Sequence, residues 1–250
     1  MIDCHTHLEQ KDYDPDRDEV IKRCASAGLK AIVTCCAHPD DIDVTMKMLD
    51  KYPNFIFATA SIHPEYIAEV NDKWLGRILS LIKDSRVVGV GETGLDFKAA
   101  ETEELRKRQT ELFKKFIDVA EESEKPLVIH ARGAFKEAID VLESNGAKRV
   151  AMHFFSARDQ LKRVIDHEWY VTVNTTVHRS KTMKKIVRDM PIERILLETD
   201  APWLDLEGGR NEPIAIKGVA EKIAEVKKCA FSEVWDKCGK NAVEFFGLVL

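Results

Sequence analysis

Eight short apolar runs, each followed by a helical pattern, recur along this 250-residue chain, and that alternation limits what the chain can fold into more than any other feature. The runs are Met1 to His7, Ala31 to Cys36, Phe55 to Ile62, Val87 to Gly91, Leu127 to His130, Val150 to Phe155, Tyr170 to Asn174 and Ile195 to Leu197. Between them apolar residues recur at the 3.6-residue period, as in Leu75/Ile78/Leu79/Ile82 and Ile216/Val219/Ile223/Val226. Strand-helix repetition of this kind builds a parallel sheet with helices packed outside it. A doubly wound open sheet competes, but eight units in about 250 residues suit a closed barrel better. The expected class is therefore α/β, a (β/α)8 TIM barrel in a single domain spanning 1–250. A last amphipathic segment at about 231–250, through Val234, Trp235 and Cys238, is expected to cover the barrel.

Composition narrows the function classes. With 38 Lys and Arg against 43 Asp and Glu the net charge is −5, which excludes a histone-like polycation. A 44% hydrophobic share excludes intrinsic disorder. No apolar stretch approaches the roughly 18 residues needed to cross a bilayer. The N-terminus lacks the basic flank and apolar core of a secretory signal, so a cytoplasmic protein with no membrane contact is expected. The cysteines at 4, 24, 35, 36, 229 and 238 have no CxxC spacing and read as free thiols, with Cys35-Cys36 explained by packing.

In such a barrel, catalytic groups come from the carboxyl ends of the strands and the loops after them. His5 and His7 close the first run, His38 and His63 follow the second and third, and Glu92 ends the fourth. His130, His153 and Asp200 follow on the fifth, sixth and eighth, and His178 lies after the seventh. Seven of the eight histidines thus map to one face, with His167 alone at a helix end. Residues two apart in a strand share a side, so His5 and His7 should both aim into the barrel, together with Asp3. A lone His-x-His is a weak sign, since a hydrogen-bonded pair explains it too. Here Glu92, His130, His153 and Asp200 add four more ligand-type groups, enough to hold two ions around one shared carboxylate.

The segments Asp3-Cys-His5-Thr-His7, Ile62-His63-Pro64, Gly91-Glu92-Thr-Gly94-Leu-Asp96, Val128-Ile-His130-Ala-Arg132, His153-Phe-Phe-Ser156 and Glu198-Thr-Asp200-Ala-Pro202 resemble, in order and spacing, the TatD family of metal-dependent deoxyribonucleases. The resemblance runs from residue 1 to about 213 and implies an amidohydrolase-like barrel. It implies one metal held by His5, His7, Glu92 and Asp200 and a second by Glu92, His130 and His153, with Glu92 bridging. The fourth strand carries no lysine, which argues against the dihydroorotase and phosphotriesterase types that bridge through a carbamylated lysine. Two stretches depart from the family pattern: Phe155-Ser156-Ala157 stands where Phe-Ser-Gly is usual, and Val173-Asn174-Thr175-Thr176 where Ser-Phe-Ser-Gly is usual. They spare every implied ligand and alter the pocket wall.

The other candidates carry two readings each. His63 before Pro64 is either a hydrogen-bonded loop histidine or, by the resemblance, a phosphate contact. Arg132 offers a planar fork for a phosphoryl group or a salt bridge at a helix start. Trp203 stacks a terminal base or fills the rim. Glu198 shares a side with Asp200 one layer deeper, and His38, His178 and Asp96 are weaker candidates. The basic clusters at Arg106-Lys107-Arg108, Lys114-Lys115, Lys184-Lys185 and Lys227-Lys228 read as solvated helix faces.

The function expected is a two-metal hydrolase that cleaves phosphodiesters, working 3′ to 5′ on single-stranded DNA ends. Asp200 takes the proton, Glu92 bridges and His63 assists, with His63, Arg132 and Trp203 on the substrate. Two divalent ions (Zn, Mn or Mg) are implied, a nucleic-acid partner, and no obligate protein partner. The alternative keeps the metals and hydrolyses a carbonyl, as a D-aminoacyl-tRNA deacylase or lactonase does.

Overall fold

The computed structural model describes residues 1–250. Eight strands pair in chain order, all parallel: β1 (Ile2–Thr6), β2 (Ala31–Cys36), β3 (Ile56–Ala60), β4 (Val87–Asp96), β5 (Leu127–Arg132), β6 (Val150–Met152), β7 (Tyr170–Val173) and β8 (Ile195–Leu197). Helices α1 (Arg17–Ser26), α2 (Ile42–Lys51), α3 (Asp72–Ile82), α4 (Glu103–Glu122), α5 (Phe135–Ser144), α6 (Leu161–Asp166), α7 (Lys181–Asp189) and α8 (Ile216–Lys227) follow the strands in turn. This is the expected (β/α)8 barrel, nearly closed. Several helices start where a side chain takes an orphan amide: Asn71 accepts from Trp74 N–H, Thr102 from Leu105 N–H and Ser180 from Met183 N–H.

Closure between the first and last strands is achieved above the β8 ladder. Asp200 N–H donates to His5 O at 3.0 Å and His7 N–H donates to Ala201 O at 2.7 Å. Below them, the Asp3 carboxylate accepts from Thr199 N–H at 3.0 Å and Thr199 Oγ1 at 2.6 Å. Simple alternation along β1 aims Asp3 into the barrel interior with His5 and His7. A register shift between Asp3 and Thr6 breaks the simple alternation, and its carboxylate ties the seam instead. β6 ends three residues earlier than its apolar run suggests. Phe154 takes a left-handed φ of 44°, and its N–H turns to Thr172 Oγ1 at 2.9 Å.

Two apolar layers hold the barrel. The larger lies between strands and helices and includes Ile32, Ile56, Val90, Ile129, Met152 and Val171. The smaller fills the interior below the pocket, where Ile2, Val33, Val128 and Leu196 meet Phe245, Phe246 and Leu248. These last residues end α9 (Phe231–Phe246) and the tail after it, which plug the floor. Asn241 fixes α9 by donating to Ile192 O and Ile195 O at 2.7 and 2.9 Å. No helix is long and apolar enough to cross a membrane.

Candidate metal centre

Glu92 stands at the centre of the pocket, and its two oxygens face different histidines. Oε2 lies 3.3 Å from His5 Nε2 and 3.7 Å from His7 Nε2. Oε1 lies 2.6 Å from His130 Nδ1 and 3.5 Å from both His153 Nε2 and His63 Nε2. Asp200 Oδ1 approaches the first group, at 3.7 Å from His5 and 3.6 Å from His7. Two glycines allow β4 to press this close to β5: a Cβ on Gly91 would meet Val128 O at 2.6 Å, and one on Gly94 would meet His130 O at 2.1 Å. Ser61 Oγ, just past β3, donates to the Glu92 carbonyl and so holds Glu92 in place.

Buried carboxylates behind the pocket orient the imidazoles. His153 Nδ1 donates to Glu198 Oε2 at 2.8 Å, and Asn174 Nδ2 donates to Glu198 Oε1 at 3.0 Å. His7 Nδ1 donates to Glu9 Oε1 at 2.9 Å, while Glu9 Oε2 accepts from Thr34 Oγ1 at 2.6 Å. Each partner leaves the opposite nitrogen, Nε2, facing the pocket. His5 Nε2 and His7 Nε2 approach to 3.1 Å, and His63 Nε2 and His130 Nδ1 to 3.2 Å. Such facing nitrogens need a proton or a cation between them. His5 Nδ1 is buried with no hydrogen-bond partner. The donor atoms of His5, His7, Cys35 and Glu92 form one group within 4.8 Å, and those of His63, Glu92 and His130 another. Imidazole and carboxylate oxygen in these numbers fit divalent ions.

The electrostatics follow from burial among mixed charges. Burial favours a neutral Glu92, yet His153, His63, His5 and His130 hold it well below the usual carboxylate range. Burial likewise opposes charge on the histidines. Glu9 outweighs that at His7, Glu92 at His130 and Glu198 at His153, raising them to about 9, about 9 and about 10 respectively. His5 is pushed down by burial and by His153. Burial pushes Asp200 up against the pull of the same imidazoles. Asp200 also adopts a left-handed φ of 56°, which Asp tolerates better than most residues.

The structure thus brings together His5, His7, Glu92, His130, His153 and Asp200. His63, Arg132 and Trp203 line the same cleft of about 280 Å³, with His38, Asp41 and Asp96. His63 stands closer to Glu92 and His130 than a pure substrate contact requires. Trp203 is 48% exposed, its ring edge-on to His7 with centroids 4.6 Å apart. Arg132 is largely exposed, 3.8 Å from Asp96. His178 stays outside the cleft, packed against Gly218. Two residues escaped sequence reasoning. Glu9 sits two positions past His7, the same spacing that marks His5 and His7. Cys35 turns its sulfur to the donor group while Cys36 enters the outer core.

The TatD related DNase family model matches residues 2–247. An uncharacterized metal-dependent hydrolase of Methanocaldococcus jannaschii is 34% identical over 249 residues, covering 98% of this chain and 96% of its own. A 3′-5′ ssDNA/RNA exonuclease of Erwinia amylovora is 26% identical, covering 99% and 100%. The crystal structure of a TatD homolog from Escherichia coli superposes with a TM-score of 0.91 at 22% identity, covering 100% of this chain and 98% of that one. The chain belongs to the TatD related DNase family of metal-dependent hydrolases.

Proposed function

We propose that this hydrolase cleaves phosphodiesters with two divalent ions and acts 3′ to 5′ on single-stranded DNA ends. The observation that carries the reading is the division of histidines between the two oxygens of Glu92. His5, His7, Glu92 and Asp200 would hold one ion, and Glu92, His130 and His153 the other. When bound, two such ions lower the pKa of an attacking water to about 7 and neutralise developing phosphoryl charge. The imidazole-rich donor set favours Zn, Mn, Co or Ni over Mg.

The chain's own groups do the rest. Asp200, on the wall of the cleft, accepts the proton of the attacking water. Glu198 and Glu9 keep His153 and His7 in the tautomer that leaves Nε2 free toward the pocket. His63, anchored by Glu65 N–H on its Nδ1 at 3.2 Å, presents Nε2 to the phosphoryl group. Arg132 binds a phosphoryl oxygen from the rim, and Trp203 offers a face to the terminal base.

A cleft framed by βα loops reaches a flexible end more easily than a phosphate inside a stacked duplex. The relative from Erwinia amylovora, a 3′-5′ ssDNA/RNA exonuclease, supports the same polarity. The net charge of −5 removes long-range attraction to duplex, so cleavage is distributive. A labelled single-stranded oligonucleotide tests this: with Mn or Mg it shortens from its 3′ end in single-nucleotide steps, and chelator stops it. Endonucleolytic fragments, equal attack on closed circles, or lactone hydrolysis without DNA cleavage overturns the proposal.

A further inference from the structure

A second cavity, about 270 Å³, opens beside the cleft and shares His130, Arg132, His153 and Phe154 with it. Its own walls are Lys98, Ala131, Gly133, Phe135 and Ser156, with no carboxylate among them. Glu92 and Glu198 approach its inner side through His130 and His153, and Asp96 lies 3.8 Å from Arg132 with its carboxylate already engaged. It takes His130 Nε2 at 3.3 Å and the N–H groups of Lys98 and Ala99 at 2.9 and 3.0 Å. Those bonds fix the turn after β4 and leave the Lys98 ammonium outside them. The Lys98 stem passes over Gly133, whose φ is +66° and where an added Cβ would sit 3.9 Å from Lys98 Cγ. Two cations from different strand ends, a hydroxyl and the ring of Phe154 therefore converge next to the reacting groups.

We infer that this cavity is a second phosphate subsite, in which Lys98 and Ser156 hold the phosphate one nucleotide upstream of the scissile bond, beside the Arg132 fork that lines both cavities and contacts the scissile phosphoryl group, while Phe154 flanks the intervening nucleotide. The inference rests on the phosphodiesterase reading above and adds a substrate requirement to it: two phosphates, one at the histidines and one at Lys98. A positioned ammonium on phosphate is a charge-assisted contact, strengthened by the guanidinium beside it and weakened by exposure.

The test compares thymidine dinucleotides with one phosphate (TpT), with an added 5′ phosphate (pTpT) and with an added 3′ phosphate (TpTp). Calorimetric titration of the Mn-loaded Asp200→Asn protein gives affinities uncoupled from turnover, and the wild-type enzyme reports cleavage in parallel. The expected result is about tenfold tighter binding of pTpT than of TpT. That preference falls to about twofold or less in Asp200→Asn/Lys98→Ala and returns in Asp200→Asn/Lys98→Arg. Equal binding of pTpT and TpT, a preference that survives Lys98→Ala, or a gain from the 3′ phosphate instead of the 5′ one overturns the subsite. A 5′-phosphate preference that depends on Lys98, with no dinucleotide cleaved by the wild type, supports the subsite and defeats the nuclease reading.

Discussion

Glu9 Oε1 lies 2.9 Å from His7 Nδ1, and both side chains are buried. The carboxylate has a second tie to Thr34 on β2, so the imidazole is oriented from two strands at once. A charged partner of this kind fixes the tautomer and raises ligand basicity.

Glu9→Gln therefore weakens metal binding by about 10- to 100-fold while the fold is retained. Competition with a chelator of known affinity measures the loss, and circular dichroism checks the fold. Unchanged affinity removes Glu9 from the centre.

Under the proposed assignment Glu92→Ala is expected to lose both ions, because its two oxygens face the two histidine groups. Elemental analysis after reconstitution with Mn or Zn reads the occupancy, expected to approach two ions in the wild type. One ion held normally in Glu92→Ala defeats the bridging assignment.

Asp200→Asn keeps most metal and slows turnover by about 10²-fold or more, the scale of a lost positioned base. His63→Ala keeps both ions and loses rate. If His63→Ala drops an ion, His63 is a ligand rather than a phosphoryl contact.

Metal uptake releases protons. His7, His130 and His153, raised to about 9, about 9 and about 10, hold protons at pH 7.5 in the metal-free protein that the proposed ligand role requires them to lose. Because these folded-state values lie above the ordinary histidine value of about 6.5, their protonation stabilises the metal-free fold fully below that pH. The contribution is lost as pH rises through about 9 to 10. Apparent metal affinity accordingly rises with pH up to that range. Calorimetry in buffers of different ionisation heat should count roughly two to three protons released at pH 7.5. A count of zero contradicts the raised values.

Phe245→Ala opens the barrel floor beneath Tyr170, whose ring centroid lies 5.1 Å away. The cost is about 3 to 5 kcal/mol. Denaturant unfolding checks it, and a loss below about 1 kcal/mol means that α9 is not integral to the core.

The barrel was legible because each strand is a short apolar run and each helix repeats at 3.6, signals that survive without tertiary information. The pocket residues were legible because they end those runs. Asp3 was misplaced since a register shift in β1 leaves no mark in an otherwise alternating Asp3-x-His5-x-His7. Glu9 was overlooked because its environment depends on Thr34, 25 residues away, and an isolated Glu after a strand looks like any loop acid. Phe154 bends out of β6 through a bond to Thr172, a partner that apolar periodicity cannot name.

The seam between β1 and β8 also dictates a timetable. His5 and Asp200 are joined by a backbone bond at the top of the barrel, yet 195 residues separate them in the chain. A nascent chain leaving the ribosome displays its first two histidines long before the residue that completes their half of the pocket exists. Completion of that half of the pocket and joining of the first strand to the last are thus one late event. A chain stalled before Asp200 carries the first histidines but neither the closed seam nor the assembled pocket.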